Sequence, residues 1–241
     1  MLAIVAIAAG CHLLGAALPC TEVEHCPRGT TCVDGACHVA DSDGHDQEGE
    51  GEGEGEGEVP GAPVAGLSDW FDDGVIGAGW LVAENGGCAV DEGGSLQMTL
   101  PATGPSICSV ASFTEWDLTG GAVVLRVDPI TDFETDTAYT LAILRSDGGR
   151  AQLGFRGGDF SSGIQGALVD SAYPPEPYFW RIRESGGTLF FESSLDNDSW
   201  SLESSAVPPF SVQRVHVLIE ARNGTSSTRS IGIGTGGVYG E

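Results

Sequence analysis

Phe179-Trp180-Arg181-Ile182-Arg183-Glu184-Ser185-Gly186-Gly187-Thr188-Leu189-Phe190-Phe191-Glu192-Ser193-Ser194-Leu195-Asp196-Asn197-Asp198-Ser199-Trp200 contains the fold in miniature. Tyr178–Glu184 and Thr188–Ser193 alternate polar with aromatic or aliphatic residues, the pattern of a half-buried strand. Ser185-Gly186-Gly187 joins them as a turn, and Asp196-Asn197-Asp198 marks a second turn. The same grammar recurs on both sides. Ser95–Leu100, Ala122–Val127, Tyr139–Arg145, Arg150–Arg156, Ser211–Arg222 and Ser230–Gly234 read as strands. Gly93-Gly94, Gly120-Gly121, Asp147-Gly148-Gly149 and Gly157-Gly158 separate them. No ten-residue segment shows a helical period. Many short strands at regular spacing predict an all-β sandwich or jelly roll.

Outward from this domain the composition changes abruptly. Glu and Gly alternate from Glu48 to Glu58. Glu at every second position spaces like charges about 7 Å apart along an extended chain. That lies inside the Debye length of about 8 Å at physiological salt, so the segment repels itself and stays open. All five Trp, four Tyr and nine Phe lie between Trp70 and Tyr239, so the core lies beyond this tether. The expected organisation is an export segment (1–17), a four-cysteine module (18–38), an acidic linker (39–66) and the β-sandwich (67–241).

Charge narrows the partners. The chain carries a net −25. Residues 67–241 hold 23 acidic residues against nine Arg, which leaves that part at −14. Such a field disfavours nucleic acid and anionic membranes as partners. Lys is absent. Codon bias and adaptation to salt both account for that.

The N-terminus points to export. The apolar run ending Ala8-Ala9-Gly10-Cys11 resembles a bacterial lipobox, which implies lipidation at Cys11 and a membrane-anchored lipoprotein. No Lys or Arg precedes the run. Gly15-Ala16-Ala17 also suits ordinary signal peptidase, and an uncleaved anchor over 2–18 is the third alternative. Under either cleavage Cys20, Cys26, Cys32, Cys37, Cys88 and Cys108 remain, an even set expected to form three disulfides. Four of them fall within Cys20–Cys37, a segment too short to fold without covalent staples. The spacing resembles small stapled repeats of bacterial lipoproteins; a zinc site is the alternative. Asp41-Ser-Asp43-Gly44-His45-Asp46 hints at a calcium loop, but its ligand positions are out of register and it reads as solvated linker. No cofactor is expected, Ca²⁺ being possible only on that hint. Cys88 and Cys108 are expected to pair. In a simple meander they would stand about 10 Å apart, so one strand must cross to the opposite sheet.

The Phe179–Trp200 stretch also resembles concanavalin A-like lectin/glucanase domains of the LamG-like kind: a basic strand, a Gly turn, then an aromatic-Glu-x-Ser strand, a turn and a Trp. Trp70-Phe71-Asp72-Asp73 with Gly79-Trp80 resembles their first strand. The resemblance implies a two-sheet sandwich and a carbohydrate ligand. Glucanases of that superfamily carry a Glu-x-Asp-x-Glu strand, placing two carboxylates on one face about 5–5.5 Å apart. No such run occurs here, and Glu192…Asp196…Asp198…Glu203 crosses a turn. With no Gly-x-Ser-x-Gly or His-Glu-x-x-His motif either, the expectation is a domain that is not an enzyme.

If their strands share a sheet, Arg181, Arg183, Glu192, Arg214, His216 and Trp200 form a polar face, with Arg126 beside them and Trp180 or Tyr178 as further stacking platforms. Such a face either binds sugar hydroxyls or keeps the sandwich soluble by cross-strand ion pairing. The expected function is therefore a lipid-anchored, non-catalytic sandwich displayed outside the cell to bind a carbohydrate or another cell-surface ligand. The alternatives are a glycoside hydrolase or lyase on the same fold, and a structural or protein-binding surface component.

Overall fold

The computed structural model describes residues 30–33 and 36–39, and everything from Val59 onward except 103, 129–135, 173–177 and 225–230. The chain divides into two compact units, Met1–Glu58 and Val59–Glu241. In the first, β1 (Thr30–Val33) and β2 (Ala36–Val39) form an antiparallel hairpin whose register sets Cys32 opposite Cys37. The lipobox, the other cysteines of that module and the Glu/Gly tether lie outside the described residues.

The second unit is almost entirely strand. Its early strands are β3 (Ala62–Pro63), β4 (Ser68–Asp69), β5 (Trp80–Asn85), β6 (Ala89–Glu92), β7 (Leu96–Leu100), β8 (Ser106–Ser112) and β9 (Trp116–Asp117). β10 (Ala122–Val127), β11 (Ala138–Leu144), β12 (Arg150–Arg156), β13 (Asp159–Ile164) and β14 (Ala167–Ala172) follow. The last are β15 (Phe179–Ser185), β16 (Thr188–Ser194), β17 (Trp200–Ala206), β18 (His216–Asn223) and β19 (Ile231–Gly240). Among the described residues the only helix is one 3₁₀ turn, Val64–Gly66.

An eight-stranded sheet runs β17-β16-β15-β10-β19-β7-β6, with β4 added alongside β19. A seven-stranded sheet runs β14-β13-β12-β11-β18-β8-β5. Both are antiparallel. The chain passes from one sheet to the other after β4, β5, β7, β8, β10, β14, β17 and β18, so many neighbouring strands are distant in sequence. This is the expected jelly-roll sandwich. The crossing from β7 to β8 accounts for the cysteines: Cys88 precedes β6 in one sheet, Cys108 lies on β8 in the other, and a disulfide joins them with Cα atoms 5.8 Å apart.

Alternation builds the core. Val123, Leu125, Ile182, Leu189, Phe191, Ile231 and Ile233 line the inner face of the larger sheet. Tyr139, Leu141, Ile143, Leu153, Phe160, Val217 and Ile219 meet them from the smaller one. Trp180 sits where the layers meet, its ring centroid 5.5 Å from those of both Tyr139 and Phe160. It is fully buried, which corrects its reading as an exposed platform. Arg181 and Arg183 follow it on β15, and the two-residue strand period sends them outward and Trp180 and Ile182 inward.

Two further differences have local causes. The strand expected from Ser211 begins only at His216: Pro208-Pro209 supply no amide protons, and Val215 makes an isolated bridge to Trp116. The strand expected over Ser230–Gly234 continues to Gly240. Its glycines imitate a turn in sequence, yet each ladder bond needs only backbone. At the other end of the sandwich the buried carboxylate of Glu184 accepts from Gly187 N at 2.6 Å and from Gly120 N, tying two turns together.

Trp180→Ala is expected to destabilise the protein by about 3–5 kcal/mol, the usual cost of removing a buried aromatic side chain. Urea denaturation followed by circular dichroism measures it.

Candidate functional site

The outer face of the larger sheet is nearly bare along β19. Ile231, Ile233, Thr235 and Val238 point into the core, leaving Gly232, Gly234 and Gly236 outside. Arg126 pairs with Gly237 and Val127 with Thr235, so Gly236 is the extra residue of a bulge. A Cβ at Gly236 would lie 3.1 Å from Cδ and Nε of Arg126, and one at Gly237 would lie 2.7 Å from Cε3 of Trp70. The absence of side chains there lets the stem of Arg126 and the ring of Trp70 lie directly on the strand. Gly237 also has φ 152°.

Trp70 is delivered by β4, which pairs Ser68 with Tyr239 and Asp69 with Val238. The Trp70 and Tyr239 rings stack at 5.4 Å and 27°. Asp69 shapes the turn that follows, accepting from Phe71 N at 2.9 Å and Trp80 Nε1 at 2.7 Å. Phe71 has φ 49°, an unusual value for a bulky residue, and is anchored in the core while Trp70 stays 47% exposed. Among the described residues the other non-glycine with positive φ is Asn197, at 64°. It stands on the β16–β17 turn, across the same groove.

Two cavities meet over this floor. One, of about 530 Å³, is lined by Tyr178, Phe179, Leu195, Asp196, Asn197 and Tyr239. The other, of about 360 Å³, is lined by Asp72, Gly94, Ser95 and Gly236. Trp70, Arg126 and Asp128 line both. The first is therefore rich in aromatic rings and the second polar. In the first, the Asp196 carboxyl is held down to about 2 by backbone amides of Ser199 and Asp198 and then by the Ser194 hydroxyl. Burial raises the Tyr239 phenol, helped by the charge of Glu241.

The residues singled out from sequence fall into two groups. Arg181, Arg183, Glu192 and Trp200 do share the outer face of the larger sheet. Arg181 Nε donates to Glu192 Oε2 at 2.8 Å and Arg183 Nη2 to Glu192 Oε1 at 3.0 Å. Burial by itself would raise the Glu192 carboxyl, but the bonds from Arg183 and Arg181 outweigh it and hold the group low. The Arg181 guanidinium also covers the Trp200 ring at 3.9 Å. Arg214 and His216 belong to the other sheet's side of the molecule. Arg214 Nε donates to Glu115 Oε2 at 2.7 Å, and His216 Nδ1 lies 2.8 Å from Ser112 O. The single polar face pictured from sequence is thus divided, because β15 and β18 lie in different sheets.

Carboxylate geometry explains what the motif search missed. Glu192 points outward, whereas Glu203 points between the sheets, accepting from Ser193 Oγ at 2.6 Å and Ser171 Oγ at 3.2 Å. A register shift after Phe191 places them on opposite faces. Asp72 and Asp128 reach the polar cavity from segments more than fifty residues apart, a convergence no single-strand motif encodes. The one legible signal was the Gly234-Thr235-Gly236-Gly237 run beside Trp70 and Tyr239. Among the described residues no three His, Cys, Asp or Glu side chains converge to hold a metal.

No family profile and no curated protein matches this chain. Solved structures do. A glycoside hydrolase family protein from Mycobacterium thermorestibile superposes with TM-score 0.55 at 11% identity, covering 73% of this chain and 99% of its own. Crh5 transglycosylase in complex with NAG gives 0.58 at 11% identity, over 76% and 87%. An immunostimulatory antigen and pseudo β-1,3-glucanase of Mycobacterium tuberculosis gives 0.54 at 11% identity, over 72% and 97%. The shared fold class is the concanavalin A-like β-sandwich of glycoside hydrolase and transglycosylase-like proteins. The expectation that the domain is not an enzyme is corrected here: proteins of the same fold are described as glycoside hydrolase, β-glucanase and transglycosylase, so the missing strand motif does not exclude one. Its basis, the missing Glu-x-Asp-x-Glu strand, tests only carboxylates that are neighbours in sequence.

The Asp196 turn carries an acid-dependent contribution. A carboxyl lowered from 3.8 to about 2 stabilises above its ordinary value, and that contribution is lost as pH falls through about 2. Asp196→Asn is expected to be less stable than wild type at neutral pH, with the gap closing in strong acid. Thermal unfolding across pH checks this.

Proposed function

We propose that the Val59–Glu241 unit is a carbohydrate-active enzyme, a glycoside hydrolase or transglycosylase, that binds its glycan in the groove over β19. The observation that carries the proposal is the meeting of an aromatic-lined and a polar cavity at Trp70, Arg126 and Asp128. A chain laid along the groove stacks one sugar against the Tyr178–Tyr239 side and places the next beside Asp72 and Ser95. The linking oxygen then lies over Asp128. Apolar ring faces suit pyranose stacking, and a few convergent polar groups fix orientation. Asp128 is the candidate proton donor to the leaving oxygen. The carboxylate of Asp72 in the polar half is the candidate nucleophile or base.

The same proposal places the protein outside the cell, lipidated at Cys11 or cleaved after Ala17, with the Glu/Gly segment as tether. The Cys88–Cys108 disulfide supports an oxidising compartment.

Full-length protein incubated with β-1,3-glucan, xylan and chitin oligosaccharides is expected to change the chain-length distribution of at least one. New reducing ends identify hydrolysis; longer and shorter products without new ends identify transfer. Asp128→Asn should lower kcat at least about a hundredfold, in the range seen for a lost proton donor, with an unchanged unfolding midpoint. Trp70→Ala should act chiefly on KM. Full turnover by Asp128→Asn would remove that residue from the mechanism, and inertness of the wild type on every glycan would sink the reading.

A further inference from the structure

Among the described residues, five of the eight arginines of this domain are paired with carboxylates, and Arg126, Arg156 and Arg222 are not. Arg145 meets Asp147, Arg150 meets Glu220, Arg181 meets Glu192 and Glu241, Arg183 meets Glu192, and Arg214 meets Glu115. Arg126 lines both cavities and has no ion-pair partner among the described residues, although Asp72, Asp128 and Asp196 line the same groove. Arg156 and Arg222 also lack an ion pair among the described residues, but of the three only Arg126 lines the groove.

Its position explains why it stays so. Arg126 faces Gly237 across the ladder, and its Cδ and Nε lie where a Cβ on Gly236 would crowd them. The stem is thereby laid along the strand instead of swinging free. Asp196, the carboxylate on the far wall, commits Oδ1 to Asp198 N at 2.9 Å and Ser199 N at 2.8 Å. Arg126 therefore offers a planar fork of donors, held at the junction of two sugar-sized spaces. Such a fork matches a carboxylate or a phosphate through two parallel N–H···O bonds, and beside three Asp side chains the singly charged carboxylate is the better fit to one guanidinium.

We propose that the groove takes an acidic glycan and that Arg126 reads the carboxylate of a uronic acid unit. The inference rests on the carbohydrate reading of the groove given above. The three Asp side chains around Arg126 set the charge density: a sparsely substituted chain brings one carboxylate to one guanidinium, whereas a homopolymer of uronates brings further charges against Asp72, Asp128 and Asp196. The substrate class is therefore a largely neutral polysaccharide carrying isolated uronic acid branches or units.

The test compares short xylan oligosaccharides bearing one glucuronic acid with the same oligosaccharides after reduction of the carboxyl to the alcohol, by calorimetry on the full chain. Wild type is expected to bind the acidic form at least about tenfold more tightly, the scale of a charge-assisted pair. Arg126→Gln should abolish that preference and Arg126→Lys should keep part of it, since Lys retains the charge but not the fork. Equal binding of both forms by wild type would overturn the inference and leave the carbohydrate reading standing. A preference that survives in Arg126→Gln would also overturn it. Binding of neither form would overturn both. The wild-type comparison decides the matter even if a variant fails to fold.

Discussion

Strand β19 is built on one constraint: its backbone must stay paired along its length while presenting almost no side chains outward. Ile231, Ile233 and Val238 bury against the opposite sheet, while β7 takes the backbone over Ile231–Thr235, β10 over Thr235–Gly240 and β4 at Val238 and Tyr239. A strand interior of glycines costs about 0.5–1 kcal/mol per residue relative to alanine. Burial of the alternate residues, at about 1.5–3 kcal/mol for each large aliphatic side chain, offsets that cost. In return the neighbouring strands can lay long side chains across β19. Arg126 and Trp70 occupy space that belongs to side chains on an ordinary central strand. The groove is thus made from what the strand omits, and both of its non-glycine residues of positive φ, Phe71 and Asn197, stand at the turns that border it.

The rest of that face is organised by charge neutralisation. Glu192 is almost fully buried between Arg181 and Arg183, and the two guanidinium groups lie over Trp200 and Phe190. Their donors are committed to Glu192 and Glu241, so this half of the sheet is a closed network beside an open groove. The arginines differ in placement as well as in pairing: Arg181 and Arg183 spend their donors on carboxylates of their own face, whereas Arg126 lies in the groove with no ion pair among the described residues. Both kinds alternate with apolar residues and look alike in sequence.

Legibility in the sequence followed the range of the interactions. The Phe179–Trp200 hairpin is local: its period, its Gly186-Gly187 turn and its Asp196-Asn197 turn involve residues close in the chain, and they were readable. The Cys88–Cys108 bond was readable as a need for a crossing but not as the crossing itself. β19 was truncated in the reading because glycine signals a turn when neighbours are unknown, whereas two flanking strands make the same glycines part of a ladder. Trp180 was misplaced because its orientation depends on which face of β15 meets the second sheet. The carboxylates of the groove were missed because Asp72 and Asp128 approach only through the pairing of β4 and β10 with β19.

The sequence by itself determined the class of the fold, the position of its turns, the acidic field and the separation of a cysteine-rich segment from a β domain. Each follows from composition or from a period of two residues, which the covalent chain carries along its own length. Tertiary structure alone decided which strands share a sheet, and therefore that Arg181 and Arg214 face different sides, that Arg126 has no carboxylate partner among the described residues, and that Trp70 meets Tyr239. Those outcomes depend on hydrogen-bond registers between segments distant in the chain. A register is the joint property of two strands, and a shift of one residue in either would exchange the inside for the outside.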